Sequence, residues 1–347
     1  MIKKGLILVL ALALCAGTML MFTSCGGGGG GGDGDSDVRE MKFSAMAVEG
    51  DVTFDICQNI VDEINEKSDT VHVTFYPADV LGDYTVVWDE VMHGTIDMAH
   101  SAYVDTYSPL ATCAIIPYLV TDYSDLEAVF GVDSFIYKTT AKACEEIDLE
   151  YLGTAMDGLA GITTTKKVEN ADDPTKDKGV IIRAPANLTS KLAAQGLGFR
   201  TTVIPFSDTF SAMQSGVVDG CVAAPPGGTY LTFRDVMKYW YEYRCYAEAT
   251  GFIFSKKVMD ELSEEDQTII REAFAKGTSE SFKASEDFNN KYMQIMKDEG
   301  IEVIDFTDAQ YEVFKNHARE NYWPKLYDMF GEEFFDELKT ELDKSGL

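Results

Sequence analysis

A strand–helix–strand rhythm occurs twice in this chain of 347 residues, and it restricts the fold more than any other feature. The first copy opens with Arg39-Glu-Met-Lys-Phe-Ser-Ala-Met-Ala47, read as a strand. Thr53 to Glu66 then places Phe54, Cys57, Ile60, Val61 and Ile64 on one helical face. Val71-His-Val-Thr-Phe75 alternates as a strand does, Tyr84–His93 reads as a short helix, and Ile96–Ala99 as the next strand. The second copy predicts strands at Val180–Ala184, Thr201–Ile204 and Gly216–Val222. Between them lie helices at Asn187–Gly196 and from a Ser207 cap to Ser215. Such a rhythm implies parallel sheet flanked by helices, so two copies predict two α/β lobes. Tyr243–Phe254 reads as a long strand able to cross between them. A helix starts at the acid-rich Ser263-Glu-Glu-Asp and runs to about Asp298, with a strand at Ile301–Ile304 and more helix beyond.

The first residues have a different character. Lys3 and Lys4 precede an apolar run from Leu6 to Phe22, and Phe22-Thr-Ser-Cys25 resembles a bacterial lipobox. Residues 1–24 are therefore read as a lipoprotein-type signal peptide, with Cys25 as the lipidated first residue. Residues 25–38 follow as a glycine-rich tether that has no side chains to pack. The protein is expected to be exported and lipid-anchored to the outer face of the cell membrane. No later segment is long and apolar enough to span a bilayer.

Charge narrows the partners. The chain carries 58 Asp+Glu against 29 Lys+Arg, a net charge of −29 that loss of Lys3 and Lys4 takes to −31. Nucleic acid is thus not an expected partner, because phosphate neutralisation needs a basic footprint. Apart from Cys15 and Cys25, five cysteines remain, with no CxxC pair and no zinc spacing. An exported protein can pair two of them, but small buried thiols are the plainer reading. No metal or other cofactor is expected.

Catalytic signatures are missing: there is no GxSxG elbow, HExxH or P-loop, and the GxGxxG match falls inside the tether. His72 and His93 read as structural, leaving His100, near a strand end, as the histidine in a plausible crevice position. Binding features are stronger. Arg183 ends the strand Val180-Ile-Ile182, and ligands of open α/β sheets sit beyond strand carboxyl ends. A guanidinium there suits a carboxylate, whose two oxygens it can bond at once. Composition alone favours a surface arginine paired with one of many acids. Tyr103-Val-Asp105-Thr-Tyr107 also follows a strand end. The aromatic stretch Tyr230–Tyr243 fits a packed helix face or a cleft lining, and Pro225-Pro-Gly-Gly228 reads as a loop.

These residues carry a family resemblance. Phe75-Tyr-Pro77…Leu81-Gly-Asp83, Gly94-Thr-Ile-Asp-Met-Ala99, Ile181-Ile-Arg-Ala-Pro185 and Pro205-Phe-Ser-Asp208…Ala212-Met-Gln-Ser-Gly-Val-Val-Asp-Gly220 resemble, in order and spacing, solute-binding proteins of tripartite ATP-independent periplasmic (TRAP) transporters, the DctP-like group. The resemblance spans most of residues 40–345. It implies a two-lobed periplasmic-binding-protein-like α/β fold (type II-like), with crossing strands and a long connecting helix. The expected lobes are residues 39–158 plus about 247–290, and 159–246 plus about 291–347. It also implies a small organic-acid ligand, hinge closure around it, and delivery to the membrane permease subunits of a TRAP transporter. Arg183 matches the family's carboxylate-binding arginine and Phe206 a pocket-lining position. Asn187, Tyr103, Asp83, Tyr84, Met156, Asp157, Thr229 and Tyr230 complete the candidate ligand-binding set, and no catalytic residue is assigned.

Two departures from the family pattern bear on the ligand. Ala160 stands where many members carry a second arginine, and Ala223 where many carry an asparagine. Loss of two polar contacts points to one carboxylate on an apolar or aromatic body. Arg234 can supply a second positive contact or simply pair with Asp235. An enzyme acting on an organic acid in the same cleft, and a sensory lipoprotein, are the alternatives.

Overall fold

The computed structural model describes residues 38–347 apart from Ala223. The signal peptide, the lipidation site Cys25 and nearly all of the tether therefore lie outside the described residues.

In chain order the strands are β1 (Arg39–Ala45), β2 (Val71–Tyr76), β3 (Met98–Ser101), β4 (Leu149–Leu159), β5 (Ile162–Thr164), β6 (Ile181–Ala184), β7 (Arg200–Val203), β8 (Gly220–Val222), β9 (Tyr239–Tyr241), β10 (Ala247–Ser255) and β11 (Glu302–Ile304). The helices are α1 (Val52–Lys67), α2 (Tyr84–His93), α3 (Leu126–Phe130), α4 (Phe135–Glu145), α5 (Leu188–Gly196), α6 (Phe206–Ser215), α7 (Pro226–Phe233), α8 (Lys256–Asp260), α9 (Glu264–Asp298), α10 (Asp308–Asn321), α11 (Tyr327–Phe330) and α12 (Glu332–Ser345).

Two mixed sheets result. The first has the order β2-β1-β3-β10-β4, with β1 parallel to β2 and β3, and β10 antiparallel to β3 and β4. The second has the order β11-β9-β5-β8-β6-β7, with β6 parallel to both β7 and β8. Local chemistry explains the elements. Val71 and Val73 point into the core while His72 and Thr74 face out, as the alternation predicts. Ile56, Cys57, Ile60, Val61 and Ile64 form the buried stripe of α1. Asp83 caps α2 by accepting from the Thr85 N–H, and Gly94 closes it at φ 74°.

Several expectations change. The third strand starts at Met98, not Ile96, because the chain first turns at Gly94 and the Asp97 carboxylate takes the Lys42 N–H at 2.7 Å. Helix α6 starts at Phe206 behind Pro205, so Ser207 is not its cap. Pro225-Pro-Gly-Gly228 is not a loop but the entry to α7, where Pro226 suits the first helical turn. Gly227 is required there because a Cβ would overlap the Phe288 ring. Part of the aromatic stretch is strand, not helix: Trp240 and Tyr241 lie in β9, buried between β5 and β11. Cys57, Cys113, Cys144, Cys221 and Cys245 are all buried free thiols.

The sheets are joined by crossing segments. β4 runs on into β5 through Ala160-Gly161, and β9 into β10 through 242–246. The two crossings are bonded to each other, Ala160 N–H to Tyr246 O and Cys245 N–H to Ala160 O, both at 2.8 Å. Helix α9 has 35 residues, about 52 Å at 1.5 Å per residue, and packs on α1 and β4 and then on α7 and β11. It thereby braces both sheets. The C-terminal helices add further ties: Trp323 Nε1 donates to Pro117 O, and Tyr322 Oη to Gln195 O.

Candidate functional site

Arg183 is the third residue of β6, flanked by β7 and β8, and only 4% exposed. Its Nε donates to Ile204 O at 2.8 Å, and its guanidinium sits 5.6 Å from the Phe206 ring centroid. Among the described residues its two terminal nitrogens make no hydrogen bond and no ion pair. A buried guanidinium with donors to spare is costly unless something accepts from it. Arg183 is thus not the surface arginine that composition favoured.

Opposite it stand carboxylates from the first sheet. Asp157 falls where the β4–β10 register slips: Glu248 pairs with Gly158 and Ala249 with Met156, leaving Asp157 as the extra residue. Its Oδ1 is buried and has no hydrogen-bond partner. Burial first, then the charges of Asp51 and Glu248, hold the Asp157 carboxyl well above the usual range. Glu248 is pushed up to about 7 by burial, against the pull of the Tyr246 hydroxyl and the Arg183 charge. Asp51, just ahead of α1, is pushed up to about 6 by burial. As whole residues the three are half-buried, but protein surrounds most of each carboxyl group. Gly158, at φ 133°, leaves room for the Asn289 amide, which donates to Asp157 O at 2.7 Å. Arg183 acts on Glu248, and Glu248 and Asp51 act on Asp157, so the arginine and the three acids form one series of neighbouring charges.

The family model for bacterial extracellular solute-binding proteins, family 7 (DctP), matches residues 43–328. The chain belongs to that family. The sialic acid-binding periplasmic protein SiaP of Vibrio cholerae is 23% identical over 266 residues, which are 76% of this chain and 82% of SiaP. A TRAP periplasmic solute-binding protein from Ochrobactrum anthropi, whose C-terminus occupies its ligand pocket, has TM-score 0.78 at 21% identity. The match covers 90% of this chain and 97% of that one. One from Desulfovibrio salexigens with bound orotic acid also has TM-score 0.78, at 19% identity over 88% and 99% of the two chains. These likenesses give the DctP-family member a two-lobed periplasmic-binding-protein fold. Among the described residues no helix is long and apolar enough to cross a membrane.

The candidate residues of this family member fall into groups. Phe206 touches Arg183, is 46% exposed, and meets Phe233 edge-on. Asp157 reaches the same region through Glu248. Asn187 caps α5, its Oδ1 accepting from Ser190 N–H at 2.8 Å. Asp83 caps α2 with Tyr84 half-buried beside it. Tyr103 is buried, its hydroxyl 2.7 Å from that of Tyr151. Met156 is fully buried and donates its N–H to Ser281 Oγ at 3.1 Å. Thr229 is buried with its hydroxyl on Ala224 O. Tyr230 sits beside Arg234 and Glu299. Arg234 and Glu299 both line a 350 Å³ hollow at the β9–β11 edge.

His100 is not a crevice residue. It is 2% exposed, its Nε2 lies 2.7 Å from Thr250 Oγ1, and burial lowers its pKa to about 3, so it stays neutral. Of the two departures, Ala160 is fully buried in the crossing segment, and Ala223 lies outside the described residues. Glu248 and Asp51 escape the sequence reading. Glu248 had a legible signal, a single acid in the otherwise uncharged run Ala247–Ser255. Asp51 had none beyond its place ahead of a helix.

Proposed function

We propose that this protein is the extracytoplasmic receptor of a TRAP transporter. It captures a small organic acid between its lobes and hands it on unchanged to the membrane permease. The observation that carries this reading is Arg183, buried with its terminal nitrogens unbonded. One bound carboxylate would satisfy both. The bound molecules of the family's solved members, orotic acid among them, support a carboxylate ligand. Alanine at 160 and the Phe206 ring support an apolar or aromatic body. Phe206 and Asp157 are the direct neighbours of the ligand in this reading. Asn187, Asp83, Tyr84, Tyr103, Met156, Thr229 and Tyr230 shape the walls.

The two lobes, residues 39–158 with about 247–290 and residues 159–246 with about 291–347, close on the crossing segments when ligand binds. Signal cleavage ahead of Cys25 and its lipidation hold the receptor on the outer face of the cell membrane, and the glycine tether lets it turn.

Mass spectrometry of small molecules released from the purified, denatured protein tests the reading, with calorimetry of wild type and Arg183→Ala. An intact carboxylic acid and a loss of about 2–5 kcal/mol in the variant are expected. A chemically altered ligand, or affinity within twofold of wild type, would refute it.

A further inference from the structure

The arginine and the acids divide the site into two ends of opposite sign. Arg183 interacts with Glu248, Glu248 with Asp157, and Asp157 with Asp51. A dicarboxylate held by Arg183 would bring its second charge toward three carboxyl groups, each of which repels it once ionised. The orphaned Oδ1 of Asp157 asks instead for a donor. An ammonium offers three donors and a positive charge, which suits that oxygen and its neighbours. A metal ion fits less well, since these three acids are not drawn closely enough together to hold one.

We propose that the ligand is an amino-acid-like zwitterion, its carboxylate on Arg183 and its cationic nitrogen against Asp157, flanked by Glu248 and Asp51. This rests on the receptor reading above and narrows its substrate class. Two independent features support it: the unbonded terminal nitrogens of the buried Arg183, and the unpartnered buried oxygen of Asp157. Each calls for a complementary group, and a single zwitterion supplies both. Burial holds the three acids toward their neutral forms while no cation is present. A bound ammonium would favour their ionised forms.

The test uses the whole secreted chain and two matched panels. One holds α-, β- and γ-amino acids, including proline and aromatic members. The other holds the same carbon skeletons without the nitrogen, together with C4 and C5 dicarboxylates. Binding is read by calorimetry and thermal shift for wild type, Asp157→Asn and Arg183→Ala. The expected result is at least tenfold preference for an amino acid over its nitrogen-free analogue. Asp157→Asn should remove that preference and still bind the analogue. Because Asn matches Asp in shape and, like the protonated carboxyl, carries no charge, the variant is expected to fold as well as wild type. If nitrogen-free acids bind as tightly as amino acids, or if no amino acid binds, the zwitterion is wrong while the carboxylate receptor can stand. If no member of either panel binds and the released ligand lacks a carboxyl group, both readings fail.

Discussion

Asn289, 1% exposed in the C-terminal half of α9, donates from Nδ2 to the carbonyl oxygen of Asp157 at 2.7 Å. The same amide bonds Ser285 O at 2.8 Å, and its Oδ1 accepts from Gly227 N–H at 2.9 Å. One side chain therefore pins the long helix to β4 at the acid end of the site and to the start of α7. Asn289→Ala would leave the buried Gly227 N–H and Asp157 carbonyl short of partners. We expect a stability loss of about 2–4 kcal/mol, read by urea unfolding. Asn289→Asp should lose nearly as much, since it removes the two donors and adds a buried charge. A loss under about 0.5 kcal/mol in both would show that the junction is held elsewhere.

Much of this arrangement can be read from residue order, and the unread part has common physical causes. α1, β2 and α2 show their periodicity and caps because each presents one buried face. β9 hides itself: three consecutive aromatic residues, Trp240 and Tyr241 fully buried, carry no alternation to mark a strand. The entry to α7 misleads because Pro-Pro-Gly-Gly belongs to turns in most settings. Here Pro226 falls in the first turn, and the Asn289 side chain takes the N–H of Gly227. Arg183 could be singled out by its strand-end position, but its unbonded nitrogens depend on Ile204 taking only Nε. The acid end arises from a register slip between strands about ninety residues apart, which no local pattern encodes.

Phe206 separates ligand binding from stability. Its ring is 46% exposed and lies 5.6 Å from the Arg183 guanidinium. Phe206→Ala should shift stability by less than about 1 kcal/mol, the range of an exposed cation–π contact. In the receptor reading the same ring covers the ligand, so affinity should fall about tenfold. Paired thermal melts and calorimetry check this. A large stability loss with unchanged affinity would make Phe206 a structural residue.

Glu242 should govern part of the pH dependence of folding. It is 1% exposed, its Oε2 accepts from Trp240 Nε1 at 2.6 Å, and Arg244 Nε lies 3.4 Å from its Oε1. Burial nonetheless raises its pKa from 4.5 to about 7. The folded state therefore binds the proton more tightly than the unfolded chain does. The resulting stability is complete below about pH 4.5 and is lost as pH rises through about 7. Glu248, also raised to about 7, adds to the same slope. Glu63, Asp122, Asp173, Asp219 and Asp266 have lowered values, and their opposite effect is confined to more acid solution; buried His100, lowered to about 3, and His317 oppose the fall up to about pH 6.5 but are outnumbered by the raised acids. Urea midpoints of the ligand-free protein should fall between pH 5 and 8. Glu242→Gln, which keeps a carbonyl for Trp240 but cannot ionise, should flatten the fall. A midpoint that rises over that interval would contradict the assignment.

Ligand affinity should run the other way if the ligand carries an ammonium. Asp157 is faced by Asp51, Thr53 and Cys57 from α1 and its approach, and by Glu248 from β10. Glu248 is faced in turn by Tyr246 and by Arg183 from β6. His100 stays neutral, so the change comes from the acids. Their raised pKa values mean that an ammonium pairs with groups that must first lose protons. Binding of a zwitterion should then release protons and strengthen roughly tenfold for each proton and pH unit until the acids are ionised. A simple carboxylate would meet growing repulsion over the same range and weaken. Calorimetry at pH 5.5, 6.5 and 7.5 in buffers of different ionisation enthalpy distinguishes the two, and Asp157→Asn should reduce the slope. Affinity that declines steadily with pH would place an anion, not an ammonium, at the acid end.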